Sequence, residues 1–201
     1  MDIFHAPESV NAEDSRKREF YRSQNQLLAE LFEKNNISPR FQLKLEREVA
    51  EGVVFFTKSN EKESSSEIFR NIRVAKINLI YCNAASECFI LKEVLRKDIE
   101  GKEVSRDYDG ISEKVRHEET YEEGAIRGLK EELGLYFDLS ELEFVEFYTS
   151  SSGGTSNVAT NKRIKEFNIR MKTGDPGFKL EGYREVVNGS RISYFEWVPY
   201  T

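Results

Sequence analysis

The chain has 201 residues, is 38% hydrophobic and 33% charged, and carries a formal net charge of −6. That much apolar material closes a core, which excludes wholesale disorder. An excess of 36 acidic over 30 basic residues excludes a protein whose main work is blanketing nucleic acid or an anionic membrane, while leaving room for a local basic groove. No apolar run approaches the ~20 residues that span a bilayer. The first twenty residues lack the basic start, apolar middle and small-residue cleavage site of a secretory leader. With Cys82 and Cys88 the only cysteines and His5 and His117 the only histidines, two reduced thiols and no zinc site are expected. A cytoplasmic protein without membrane attachment follows as the default.

Residues 1–38 read as a helical arm. Phe20, Leu27, Leu28, Leu31 and Phe32 recur at helical spacing, Asn11 or Ser15 offers a cap, and Asn35, Asn36 and Pro39 end the run. Such an apolar face needs a partner, either the remainder of the chain or a second copy, so a homodimer through this helix is one expectation. From residue 39 to 201 the texture is that of a second domain. FQLKLEREVA alternates through Phe41, Leu43 and Leu45 and predicts a strand, and VVFFTK after Gly52 predicts another. Residues 60–67 form a polar, serine-rich loop. IRVAKINLIYC and CFILKEVLR flank the turn-like NAASE, and residues 97–110 are polar with a turn at Asp109-Gly110. After a central helix come LEFVEFYTS, the glycine-serine loop SSSGGTSN, KEFNIRMK, the turn TGDPG and ISYFEWV. Strands on both sides of a helix fit an α/β fold with a mixed sheet better than an all-β sandwich.

The central helix carries the chemistry. At about 100° per residue, Ala125, Ile126, Leu129 and Leu133 share one face, with Tyr121 at its edge. Thr120 caps it, Glu122 and Glu123 suit its positive end, and Gly134 stops it. Acids at 119, 123, 131 and 132 cover the other side, interrupted by Arg127. A solvated, salt-bridged face accounts for them, since Glu123–Arg127 and Arg127–Glu131 are i,i+4 pairs. A carboxylate cluster holding Mg²⁺ or Mn²⁺ accounts for them as well, because hard oxygen ligands suit those ions.

The segment 113–135, containing EETYEEGAIRGLKEELGL, resembles the Nudix box: Gly, five residues, Glu, seven residues, then Arg-Glu-apolar-x-Glu-Glu-x-Gly-apolar. Arg127 falls on the pattern's arginine, Glu119 on its first glutamate, Leu129 on the apolar position, Glu131 and Glu132 on the glutamate pair, and Gly134 and Leu135 on the last two. Two positions depart from it. Glu113 stands where the opening glycine belongs, and Gly128 where the glutamate after the arginine belongs. In the family that glutamate binds metal or helps activate water, so the pair at 128 and 132 is reduced here to Glu132. A mid-helix glycine also costs ~1 kcal/mol relative to alanine, which points either to something approaching the backbone there or to a site drifting from catalysis.

The resemblance implies a Nudix-like α/β/α sandwich with a mixed sheet, preceded by the N-terminal arm. The family's C-terminal helix is not expected in a sequence ending at Thr201, and the arm is expected to cover the exposed sheet face instead. The implied activity is metal-dependent hydrolysis of a nucleoside-diphosphate-linked or other diphosphate substrate. Glu131, Glu132 and Glu119 would hold Mg²⁺ or Mn²⁺, with Arg127 orienting a glutamate. Glu196, Glu181 and Glu185 are candidates for the general base. Lys162, Arg163 and Lys165 after the glycine-serine loop, and Trp197 among the late aromatics (Tyr148, Phe167, Phe178, Tyr183, Phe195), are candidates for holding the substrate, although strand aromatics more often belong to a core. The loss at 128 keeps a second reading open: a catalytically impaired module that binds a nucleotide, or a protein or RNA partner, without turnover.

Overall fold

A computed structural model describes residues 12–59, 67–153, 158–187 and 191–200. Asn11, most of the serine-rich loop and the heart of the glycine-serine loop lie outside the described residues. The chain divides into two compact units, one taking the sequence to Asn71 together with Ser152–Thr160, the other the remainder.

The first unit holds helices α1 (Ala12–Lys34) and α2 (Pro39–Ala50), strand β1 (Phe55–Lys58) and the start of β2 (Ile68–Cys82). Leu28 and Leu31 of α1 are buried, and α1 packs on α2 and β1. Gln24 ties α1 to β1, accepting from the Phe56 N–H and donating to the Phe56 carbonyl. The strand expected from Phe41 onward is instead α2. The alternation would bury Leu43, which is 67% exposed, whereas Leu45, Glu48 and Val49, on the helical repeat with Phe41, face inward. Pro39 in the first turn starts this helix as well as following the first, since its fixed φ suits that position and its missing N–H would have no partner there. Buried Glu48 accepts from Arg70 at 2.6 Å, which fastens α2 to β2.

The second unit continues β2 and adds β3 (Cys88–Asp98), β4 (Glu103–Asp109), β5 (Ile111–Lys114), α3 (Tyr121–Leu133), most of β6 (Glu143–Gly153) and of β7 (Ala159–Met171), β8 (Tyr183–Val187) and β9 (Arg191–Pro199). The sheet runs β6-β7-β2-β3-β9-β8, with β5 on the middle of β2 and β4 on β3. The pairs β2–β3, β3–β9 and β8–β9 are antiparallel. Between β2 and β7 the side-chain bonds advance together, Lys76 to Glu166 and Asn78 to Glu166 and Asn168, the sense of parallel neighbours. The fold is therefore of the α/β class with a mixed sheet and N-terminal helices. The Asp109-Gly110 turn is present and is glycine-specific: φ is +63°, and a β-carbon would lie 1.9 Å from the Ile77 carbonyl oxygen. β4, β5 and β8 are additions to the expected strands. Cys82 and Cys88 face each other across the β2–β3 hairpin and form a disulfide, which overturns the reduced-thiol expectation.

Helix α3 sits as expected. The Thr120 side chain accepts from the Glu123 N–H while the Glu123 carboxylate accepts from Thr120, and Gly134 takes the left-handed conformation at the C-terminal cap. Ala125, Leu129 and Leu133 join Ile77, Leu91, Ile111, Phe167 and Ile169 in the core. This fixes the rotation of α3 and hence where its acids point.

Candidate functional site

Arg127 is the centre of a salt-bridge hub. Its Nε donates to Glu119 at 2.7 Å, one terminal nitrogen to Glu113 at 2.8 Å and Glu131 at 3.1 Å, and the other to Glu119 at 3.0 Å and the Lys114 carbonyl at 2.8 Å. These contacts use all the N–H donors of a guanidinium. Burial alone would lower the Arg127 pKa, but Glu119 and Glu113 outweigh it and raise it. Burial likewise pushes the Glu119 carboxyl up, and the bonds from Arg127 and the Arg116 backbone carry it below the ordinary carboxylate value.

The two departures from the motif meet in space. A β-carbon at Gly128 would lie 2.7 Å from the Glu113 Cβ and 3.0 Å from its Cγ. One turn earlier, a β-carbon at Gly124 would lie 3.0 Å from a Val115 methyl. The two glycines let α3 settle directly onto β5, and the glutamate side chain at this point of contact comes from the strand.

Glu132 stands apart from the hub. It lines a cavity of 260 Å³ with Glu93, Arg96, Arg106, Glu185 and Arg191. β3 brings Glu93 and Arg96, β4 brings Arg106, β8 brings Glu185 and β9 brings Arg191. Glu93, 3% exposed, accepts two bonds from Arg96 at 2.8 Å and one from Arg106 at 3.2 Å. Burial pushes Glu93 up, but its bonds from Arg96 and the charges of Arg96 and Arg106 hold it below its usual range. Glu132 is pushed up to about 8, first by burial and then by the like charges of Glu185, Glu113 and Glu93, with Arg191 opposing. Glu185 is also raised, burial again being the main cause. The Arg191 guanidinium pairs with Glu185 at 4.0 Å, while its buried Nε has no hydrogen-bond partner among the described residues.

The structure thus brings Glu119, Arg127 and Glu131 together and places Glu132 with Glu185 in the cavity. Glu181 and Glu196 are exposed and do not line it. Lys162 and Arg163 are exposed on β7, and Lys165 pairs with Glu122. Trp197 donates to the Lys179 carbonyl at 2.8 Å and stacks on Phe178 against the core. Glu93, Arg96, Arg106 and Arg191 were not among the expected site residues. Their charges were visible in the sequence, but their convergence depends on strand register. Among the described residues no three acidic, histidine or cysteine side chains gather as a metal ion requires. The divalent ion implied by the motif does not fit the side chains as they stand, and the orphaned polar atom of Arg191 in the cavity is a donor, suited to an anion.

No protein-family model matches the chain, and no curated protein matches it. Among solved structures it is similar to T. brucei MERS1 in its apo form, 17% identical over 60% of this chain and 45% of that one, with a TM-score of 0.41. It is similar to a C. elegans Ap4A hydrolase, 14% identical over 64% of this chain and 80% of that one, with a TM-score of 0.34. A MutT/nudix family protein from Enterococcus faecalis is 12% identical over 98% of this chain and 57% of that one, with a TM-score of 0.41. The chain spans less than half the length of the MERS1 chain it matches.

Proposed function

We propose that the second unit is a Nudix-like module that binds a small phosphorylated ligand in the Glu132 cavity without turning it over. The observation that carries this reading is the buried Arg191 Nε, which has no hydrogen-bond partner among the described residues, in a cavity lined by three arginines. The cavity sets Glu93, Glu132 and Glu185 against three guanidiniums, and with Glu132 raised to about 8 its protonated form leaves an excess of positive charge that a phosphate oxygen would satisfy. Across α3, the hub acids are held by Arg127, and their geometry serves the helix rather than an open ligand set.

The hydrolytic reading has its own support, in that Glu132 and Glu185 repel each other across the cavity and acids in such a relation recur at catalytic centres. One panel separates the two. Thermal unfolding is followed with phosphate, pyrophosphate, nucleoside diphosphates and diphosphate-linked conjugates, with Mg²⁺, with Mn²⁺ or with EDTA, and products are measured by mass spectrometry. Binding adds stability as RT ln(1 + [L]/Kd). The module reading expects stabilisation that survives EDTA, yields no product and weakens in Arg191→Gln. Metal-dependent product formation abolished by Glu132→Gln would establish the hydrolase instead.

A further inference from the structure

The main path of the sheet ends in two outer strands, β6 and β8, and they differ in kind. β8 spans five residues and carries Arg184 and Glu185. β6 spans eleven, contains neither lysine nor proline, and pairs with β7 alone among the described strands. A long outer strand offers a row of unpaired backbone donors and acceptors to another chain, and short length, lysine and proline are common protections. β6 has none of the three. Its side chains invite pairing as well, since Phe144 is 59% exposed, Val145 43% and Phe147 52%. Successive residues alternate between faces, so Phe144 opens on one face and Val145 and Phe147 on the other, where the Phe147 ring meets Tyr121 of α3 edge-on. All three belong to the second unit, and none of them lines the Glu132 cavity.

The occupant is argued from the order of residues along the strand. In a dimer with its two-fold axis through the sheet, two copies of one strand run antiparallel and one residue faces itself. Residues directly opposite each other interact, and like charges so placed repel. Centring the pair on Glu146 sets that carboxylate against its own copy. Centring it on Val145 sets Glu143 against Phe147 and Glu146 against Phe144. Centring it on Tyr148 sets both Phe144 and Val145 against serines and parts the Phe147 rings. Centred on Phe147, the strand matches itself: Phe147 faces Phe147, Val145 faces Thr149, Glu146 faces Tyr148, Phe144 faces Ser150 and Glu143 faces Ser151. Aromatic and β-branched pairs of this kind stabilise a sheet, and a phenol or hydroxyl donates to a carboxylate. Glu143 is already held by Arg170 at 3.2 Å, so no acid meets an acid. A foreign strand would match this order by chance, whereas a second copy matches it by symmetry. We propose that β6 is the interface of a homodimer, pairing antiparallel with β6 of a second copy in a register centred on Phe147.

The test is sedimentation equilibrium of the full chain from about 1 μM to about 100 μM, with engineered cysteines to read the register. Expected is a reversible monomer–dimer equilibrium. Phe147→Lys sets two ammonium groups against each other at the axis and should weaken the dimer about tenfold or more. Leu43→Lys, at an exposed apolar residue of α2, should leave it unchanged. Phe147 is half exposed, so the fold should persist in the variant, which far-UV circular dichroism checks. The native cysteines are already bonded to each other, leaving an added thiol to report alone. Phe147→Cys should cross-link to its copy on mild oxidation. Tyr148→Cys and Phe144→Cys should not, because each faces a different residue and its own copy lies beyond the about 7 Å that a disulfide spans. A monomer at every concentration, a dimer as tight in Phe147→Lys as in the unaltered chain, or cross-linking at 148 or 144 in place of 147 would each overturn the proposal.

Discussion

Glu113 of β5 fills the space that a side chain at Gly128 of α3 would need, its Cβ 2.7 Å from where a β-carbon at 128 would be. The two positions that depart from the motif are in contact: the glutamate at this point stands on the strand and not on the helix, and its carboxylate reaches Arg127 from there. Gly128→Ala would gain ~1 kcal/mol in helix propensity. Against that, overpacking onto backbone-anchored atoms costs about 1–3 kcal/mol, so a net loss of stability is expected. In a Glu113→Gly background the collision is gone and Gly128→Ala should become neutral or stabilising. A denaturant double-mutant cycle measures the coupling, and equal costs in both backgrounds would break the link.

Arg127 has a matched acceptor for each donor, so replacing it strands partly buried acids. Arg127→Met should destabilise by about 3 kcal/mol, and Arg127→Lys should recover only part, lacking the planar fork. The pH dependence follows from Glu119. Its folded pKa is depressed, so its contribution is present above the unfolded carboxylate value and is lost as pH falls through the folded one. The acid limb of a stability–pH curve should therefore be shallower in Arg127→Met than in the unaltered chain. Parallel limbs would show that the hub adds nothing to acid stability.

Helix α3 was legible because independent signals coincide on the same residues: the apolar face of Ala125, Leu129 and Leu133, the Thr120–Glu123 cap and the Gly134 stop. α2 was misread because Phe41, Leu43 and Leu45 satisfy a strand's alternation over a stretch too short to defeat it. Burial of Glu48 against Arg70 is what decides for the helix, and that contact comes from a strand twenty-two residues away. β4 escaped notice because its residues are mostly exposed and charged. With β4 unseen, nothing local could bring Arg106 to Glu93. The pairing of Arg96 with Ser193, and of Asp98 with Arg191, is a matter of register between distant segments, which no short window contains.

The Cys82–Cys88 bridge closes a hairpin with a sequence separation of 6. Closing so short a loop is worth about 2 kcal/mol on the chain-entropy scale. Cys82→Ser/Cys88→Ser, or reductant added to the unaltered chain, should lower stability by that amount without altering far-UV circular dichroism. Thiol labelling under denaturing conditions, before and after reduction, reads the bond directly. A midpoint insensitive to reductant in a chain shown to hold the disulfide would mean that the turn at 83–87 already restricts the unfolded ends.

Glu132 couples the cavity to pH in the opposite sense from Glu119. Its carboxyl is raised from 4.5 to about 8, so the folded protein holds a proton that the unfolded chain releases. The stabilisation is complete below the unfolded value, declines as pH rises towards 8, and is absent above it. Glu132→Gln keeps the neutral shape and removes the titration. It should match the unaltered chain at low pH and exceed its stability above pH 8 by on the order of 1–3 kcal/mol. Urea unfolding across that range checks the divergence. Curves that stay parallel from acid to alkaline pH would mean that Glu132 ionises like an ordinary surface carboxylate, and the cavity's charge balance would then be three acids against three arginines.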